Sequence, residues 1–142
     1  MKNLDQLLIN PRPMLISYFM IAAKIIIFIS IVNVWFIRFN KPTPWRGGDS
    51  KSMKEEFETY RLSPAIMYIV GAIKVSLAVI LLISIWIKDL STPAAGAMGI
   101  FMLGAMAMHF KANDPNIKSL PALVLFLLSI GIVLAEVILD GL

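Results

Sequence analysis

Four long apolar stretches alternate with shorter polar segments along the chain. They cover about residues 14–37, 63–87, 94–110 and 120–139. A helix rises 1.5 Å per residue, so about 20 apolar residues cross the roughly 30 Å hydrocarbon core of a bilayer. The pattern predicts an all-α protein whose single domain, residues 1–142, is a transmembrane four-helix bundle. Trp35, near the end of the first stretch, is predicted to anchor it at the membrane interface.

The long polar loop after the first stretch contains signals for a fifth, shorter helix. Ser52 and Glu55 have the spacing of a capping box, which opens a helix over about residues 53–61. This helix has one apolar stripe: Met53, Phe57 and Tyr60. Such a stripe is typical of a helix that lies on the membrane surface or covers the bundle, and a solvated connector is the alternative. Ser63 and Pro64 then mark the start of the second span.

Composition supports a membrane protein and excludes several kinds of chemistry. The chain is 58% hydrophobic and 15% charged, whereas soluble domains are about 45–50% apolar and about 25% charged. It has no cysteine and one histidine, which excludes thiol chemistry and Cys-ligated clusters and makes a metal site a poor prediction. The net charge of +4 forms no basic stripe, so the expected partner is the lipid bilayer and not nucleic acid.

Basic residues are concentrated on one side of the predicted bundle. The loops 38–62 and 111–119 contain eight of them: Arg38, Lys41, Arg46, Lys51, Lys54, Arg61, Lys111 and Lys118. The opposite side has only Lys2, Arg12 and Lys88. The positive-inside rule places these two loops in the cytoplasm and both termini outside.

Two lysines lie inside the predicted spans, Lys24 in the first and Lys74 in the second. Each is about 15 Å along the helix from the start of its span. Because the first two spans run antiparallel, both lysines are predicted near the bilayer midplane, at one depth. A charge there is costly, so a polar intramembrane site around both lysines is the leading hypothesis for function.

Four arrangements would satisfy this pair of lysines. Glu136, the one acidic residue inside a span, lies near the end of the fourth helix and is the internal candidate. A bound polar or anionic ligand, such as a quinone head group or a sulfur oxyanion, is the second. A carboxylate on the helix of a partner subunit is the third. In the fourth, one or both lysines are neutral or open to a water pocket without a ligand.

The remaining candidate site residues are polar groups at the basic side. His109 is expected to hydrogen-bond the following loop through Asp114, and the sharper hypothesis makes it a proton carrier or a ligand to a quinone carbonyl. Trp45 and Arg46 are candidate partner contacts, with simple membrane anchoring as the alternative.

The third stretch is rich in glycine, alanine and methionine. Met98, Met102 and Met106 recur every fourth residue, a spacing typical of core residues that fill gaps. Small residues allow helices to approach closely. This helix is therefore predicted to pack at the centre of the bundle or at a subunit interface.

Several of these residues resemble a known family. The residues that support the resemblance are Gly71-Ala-Ile-Lys74-Val, then His109 with Asp114-Pro115, and Lys118 leading into Ala122-Leu123. Together with the long loop that ends in a short helix, they resemble DoxX-like membrane proteins and the related acetylcholine-receptor assembly chaperone family, NACHO. The stretch FNKPTPWRGGDSKSMKEEF is similar to a bacterial DoxX-like subgroup.

The resemblance implies a four-helix integral membrane protein that works beside other subunits. Relatives are linked to quinone-coupled thiosulfate oxidation, to membrane complexes with oxidative-stress enzymes and, in animals, to receptor assembly. Many relatives have glutamate where this chain has Lys74. A family mechanism that needs a carboxylate at this position therefore does not carry over.

Together these features predict a small accessory or assembly subunit of the inner membrane, with other membrane subunits or copies of itself as partners. No motif of an enzyme that works on its own is present, so the chain is not expected to be an enzyme by itself, and a non-catalytic subunit of a membrane oxidoreductase is a further possibility. The first alternative is a subunit that binds quinone as its cofactor. The second is a small transporter or channel protomer.

Overall fold

Six α-helices form the described part of the chain, residues 4–142, in the computed structural model. They are α1 Leu4–Ile9, α2 Arg12–Val32, α3 Met53–Thr59, α4 Pro64–Ile83, α5 Ser91–Lys111 and α6 Leu120–Asp140. A π-helical turn, Asn33–Ile37, extends α2, and two short 3-10 turns, Lys88–Leu90 and Asn116–Ser119, precede α5 and α6. The all-α class predicted from the sequence is confirmed.

Four of these segments are long and apolar enough to cross a membrane: Arg12–Ile37, Pro64–Ile83, Lys88–Lys111 and Asn116–Asp140. The predicted spans are therefore confirmed, with different ends. The second helix stops at Ile83, four residues early, because Ser84 caps it and a turn follows. The third begins at Ser91 and takes in Pro93, which the first turn of a helix tolerates because it needs no N–H donor there.

The four long helices form a ring in which α2 and α5 each pack between α4 and α6. The most extensive of these contacts is between α5 and α6. Gly99 lies at this contact, where a Cβ built on it would be at ordinary van der Waals distance, 3.7 Å, from Ser129. Met98 and Met102 lie buried in the core. Met106 is partly buried and packs against them, so the prediction of a gap-filling methionine stripe is confirmed.

The two basic loops meet at one end of the bundle, here called the loop end. The backbone N–H of Gly48 donates to Asp114 Oδ1 at 2.9 Å, and Lys118 Nζ donates to the carbonyl of Gly48 at 2.6 Å. Lys88 and Asp140 pair at the opposite end, called the terminal end. The prediction that both loops share one side is confirmed.

The short helix α3 covers the loop end of the bundle. Ser52 Oγ accepts a hydrogen bond from the N–H of Glu55 at 3.2 Å, as the capping box predicts. The carboxylate of Glu55 reaches the N–H of Lys51, one residue beyond the expected donor. All three residues of the apolar stripe are buried: Met53, Phe57 and Tyr60. Of the predicted roles, namely a helix on the membrane surface, a cover on the bundle and a solvated connector, the structure favours the cover, here called the lid.

Candidate functional site

A cavity of about 680 Å³ lies in the loop half of the bundle, beneath α3. All four long helices contribute to its wall, which is mainly apolar. Its polar lining residues are Ser30, Asn33, Glu56, Tyr60, Lys74, His109 and Lys118, with Arg38, Thr43 and Arg46 from the loop. Exposed residues such as Ile100 also line it, so the cavity is open on one side. An apolar cavity of this size with few polar groups is typical of a small-molecule site.

Trp35 forms one wall of the cavity and is buried, so its predicted role as an interfacial anchor is wrong. The indole lies against Gly71 of α4, where a Cβ would come within 2.4 Å of Trp35 Cζ3. Phe57 of the lid meets the same indole edge to face, with ring centroids 6.1 Å apart. Gly71 therefore provides the room that a large ring needs between α2 and α4.

Lys74 is the charged residue of α4, and it lines this cavity. It lies three residues after Gly71 and so on the same face of the helix. Within residues 4–142 its ammonium group makes no hydrogen bond or ion pair, and it remains accessible from the cavity. An ammonium group has three hydrogen-bond donors and no acceptor. Lys74 therefore offers three donors to an occupant of the cavity.

Arg46 holds the loop that forms the roof. Its guanidinium donates to the carbonyl of Lys41 at 2.8 Å and pairs with Glu56 at 2.9 Å, and it also donates to the carbonyls of Arg38 and Phe39. The side chain is buried. Of the two candidate partner contacts, only Trp45 is exposed. The guanidinium of Arg46 instead connects the loop to α3.

A network of polar side chains joins the lid to α5 and the loop that follows it. The hydroxyl of Tyr60 donates to Glu56 at 2.9 Å and lies 3.4 Å from His109 Nδ1. His109 Nδ1 lies 2.8 Å from the carboxylate of Asp114, so the predicted contact between these two residues is confirmed. Lys111 Nζ also donates to the carbonyl of Tyr60 at 3.0 Å. This hydrogen-bond network fixes α3 over the cavity.

Burial and charge shift two pKa values in this network in opposite directions. Burial, together with the charge of Glu56 and the hydrogen bond to it, raises the pKa of the Tyr60 hydroxyl well above its usual range. Burial also acts to raise the pKa of Asp114. The hydrogen bonds from His109 and Gly48, with the charge of Lys118, outweigh it and leave that pKa below its ordinary value. Tyr60 is thus a neutral donor and Asp114 a carboxylate at neutral pH.

Lys24 belongs to a different site, at the terminal end. Its ammonium donates to the carbonyl of Ser84 at 3.4 Å and lies 3.9 Å from Glu136, and Lys88 lies 4.0 Å from the same carboxylate. Ser84 follows Lys74 by ten residues along α4, about 15 Å. The expectation that Lys24 and Lys74 share one depth and one site is wrong. Glu136 is the internal partner of Lys24 and not of Lys74.

The fold and the cavity define the class of the protein: a multi-pass, four-helix membrane protein with a half-open internal cavity. Residues 47–132, more than half of the chain, match the model of the DoxX-like family. The chain belongs to this family. The matched range includes the lid α3, all of α4 and α5, and most of α6.

No match was found to a curated protein or to a solved structure. The relationship to the NACHO family stays a prediction. The site residues are therefore interpreted from their own geometry.

Sequence patterns identified some cavity residues and missed the roles of others. Lys74 and His109 were predicted as polar groups of a site, and both line the cavity. Trp35 and Tyr60 were placed by hydrophobic pattern alone, as an anchor and as part of a stripe. The glycine at position 71, in the middle of an apolar span, was the available signal for Trp35, because such a glycine often marks close packing.

Proposed function

We propose that this protein is a small accessory subunit of the bacterial inner membrane that binds an amphiphilic molecule in the cavity beneath α3. The single observation that carries the proposal is the ammonium of Lys74, which has no partner among residues 4–142 and lines a half-open apolar cavity of about 680 Å³. A charge at this depth in a membrane is costly unless something pairs with it. An occupant with a polar or anionic head group would supply the acceptor.

The shape of the cavity favours an amphiphile over a fully polar solute. Its walls are mostly apolar, and its few polar groups lie toward Lys74 and the lid. Its volume lies within the roughly 300–1,000 Å³ of typical ligand sites. Its lining includes no residue of the Lys24 and Glu136 cluster at the terminal end. This supports binding over conduction, so the transporter alternative is the less favoured one.

Native mass spectrometry of the purified protein tests the proposal. The wild-type protein should retain a small molecule, and Lys74→Met should lose it while remaining folded. Lys54→Met is the matched control, because Lys54 lies on the exposed side of α3 and outside the cavity lining. Equal retention by Lys74→Met and wild type would contradict a role of this lysine in binding.

A quinone is the second candidate occupant, favoured by the Trp35 ring in the wall. A quinone ring would lie against aromatic surface there, and its carbonyl oxygen would accept from Lys74. Solvent extraction followed by ultraviolet spectroscopy should then yield quinone from the wild type and from Lys54→Met, and little from Lys74→Met. Extracts without quinone in which another amphiphile is found would reject this candidate and keep the binding proposal.

We also propose that the loop end faces the cytoplasm, with both termini outside. The support is the concentration of basic residues in the two loops, which the fold brings together at that end. A reporter enzyme fused after residue 142 should be active only outside the cytoplasm. Cytoplasmic activity of the fusion would reverse the assigned topology.

The role as a subunit predicts a partner at the rim of the loop end. Trp45 lines the cavity and is exposed there, and exposed aromatic residues are frequent interface anchors. Affinity purification from native membranes should recover a membrane protein with the wild type and less of it with Trp45→Ala. Recovery that is the same with both proteins would leave Trp45 as a membrane anchor.

A further inference from the structure

His109 presents a hydrogen-bond acceptor to the cavity, because Asp114 determines which ring nitrogen is protonated. The Asp114 carboxylate lies 2.8 Å from His109 Nδ1 and can only accept, so Nδ1 is the nitrogen that donates. The hydroxyl of Tyr60 has its single hydrogen directed to Glu56. In the neutral ring Nε2 therefore has a free lone pair.

The lone pair of Nε2 accepts no hydrogen bond from the described part of the chain. Within residues 4–142 no donor reaches Nε2. The polar side-chain atoms that are fully buried and lack a hydrogen-bond partner do not include Nε2. It therefore keeps accessible surface. Because His109 is a buried residue that lines the cavity, that surface opens into the cavity.

The cavity thus has a hydrogen-bond donor at Lys74 and a hydrogen-bond acceptor at His109 Nε2. Lys74 has donors only, and Nε2 of neutral His109 accepts only. A head group with acceptors alone would satisfy the lysine and leave the histidine without a partner. A head group with a hydroxyl satisfies both points.

We propose that the natural occupant has a hydroxyl of the phenol or hydroquinone class, which donates a hydrogen bond to His109 Nε2. This inference rests on the proposed function and narrows it to a chemical class. The aromatic class is favoured because Trp35 and Tyr60 line the same cavity. Of the two redox forms of a quinone, the proposal selects the reduced form.

The variant Asp114→Asn tests the acceptor directly, because the structure determines how the asparagine must orient. The N–H of Gly48 donates to Asp114 Oδ1 at 2.9 Å, so the amide oxygen of asparagine has to take that place. Its NH₂ group then faces His109 Nδ1 and donates to it. The proton of the ring moves to Nε2, and the acceptor in the cavity becomes a donor.

The probes are 4-nonylphenol and its methyl ether, 4-nonylanisole, which differ in one hydroxyl hydrogen. Binding is measured in nanodiscs at pH 8.5, with empty nanodiscs subtracted. The wild type should bind the phenol on the order of tenfold more tightly than the ether, since the ether leaves Nε2 without its donor. Asp114→Asn should lose this preference or reverse it, and His109→Phe should lose it.

Two results would overturn the inference, and they differ from failure of the proposed function. Equal binding of phenol and ether by the wild type would show that no acceptor acts on the ligand. A preference that persists in Asp114→Asn, with α3 still protected from amide exchange, would show that the acceptor is not His109. If the wild type binds neither probe and retains no small molecule, the proposed binding function itself fails.

Discussion

Lys24 and Lys74 are the same residue type in similar apolar helices, yet the structure surrounds them differently. Lys24 is 3% exposed and has two partners within the chain, Glu136 and the carbonyl of Ser84. Lys74 has no partner among residues 4–142 and faces a cavity. A charge within a span is thus not by itself a binding site. What distinguishes a structural lysine from a candidate site lysine is whether the chain supplies its counter-charge.

The same distinction separates the two ends of the bundle. At the terminal end, Lys24, Lys88, Glu136 and Asp140 form a cluster with equal numbers of positive and negative charges. At the loop end, by contrast, Lys74 and Nε2 of His109 line the cavity without a hydrogen-bond partner among residues 4–142.

Removing Lys24 should destabilise the protein far more than removing Lys74. Lys24→Met leaves the buried Glu136 carboxylate with only the exposed Lys88, 4.0 Å away, at a cost of up to about 3–5 kcal/mol. Lys74→Met removes an unpaired charge from an apolar lining and should change stability by less than about 1 kcal/mol. Reversible unfolding in mixed micelles measures both variants against the wild type.

The double variant Lys24→Met/Glu136→Leu is the control for this comparison. It replaces both charges of the pair with apolar groups and should recover much of the stability lost in Lys24→Met. Equal losses in Lys24→Met and Lys74→Met would remove the distinction between the two lysines.

Replacing Arg46 should loosen the lid while leaving the terminal end intact. Arg46→Met deletes the ion pair to Glu56 and the hydrogen bonds to the carbonyls of Lys41 and Phe39, all of which a buried guanidinium makes. The local cost is about 2–3 kcal/mol. Hydrogen exchange should rise across α3 and remain unchanged near Glu136. Lys41→Met, which changes an exposed side chain, is the control. Unaltered protection of α3 in Arg46→Met would mean that its hydrogen bonds do not hold the lid.

Hydrophobic pattern was sufficient to predict the fold. Spans, caps and the lid helix follow from local rules of length, periodicity and N-cap chemistry, and these rules act over a few residues. The side of the bundle on which the loops meet followed from the even number of spans between them. None of these inferences requires knowledge of which helix faces are in contact.

The arrangement of the site depended on contacts that sequence does not record. Depth was calculated from the start of each helix, but α4 ends at Ile83 and its C-terminal cap reaches Lys24. The register between two helices depends on packing, such as the Trp35 ring over Gly71. The contact between His109 and Asp114 was predictable because it lies within one turn and the adjoining loop, five residues apart.

Adding a methyl group at Gly71 should disturb the cavity, whereas the same change elsewhere should not. In Gly71→Ala the new Cβ would lie 2.4 Å from Trp35 Cζ3, so the indole must move at a cost of about 1–3 kcal/mol. Gly96→Ala is the matched control, because no atom lies within 4 Å of a Cβ there, and alanine favours a helix. Thermal unfolding gives the stabilities. Comparable melting temperatures for the two variants would contradict the close packing of Trp35 on α4.

Acidification should release the loop from α5 at the loop end, and this is the smallest effect expected. The pKa of Asp114 is lower in the folded protein than its ordinary value, so its contribution to stability is complete above the ordinary carboxyl range. That contribution is lost as the pH falls through the lowered pKa. Exchange of the Gly48 amide, corrected for its intrinsic pH dependence, should therefore accelerate only at strongly acidic pH, by about tenfold or less. In Asp114→Asn, which does not titrate, the corrected rate should not respond to acid at all. An acid response that is the same in this variant and in the wild type would assign the pH dependence to another group of the network.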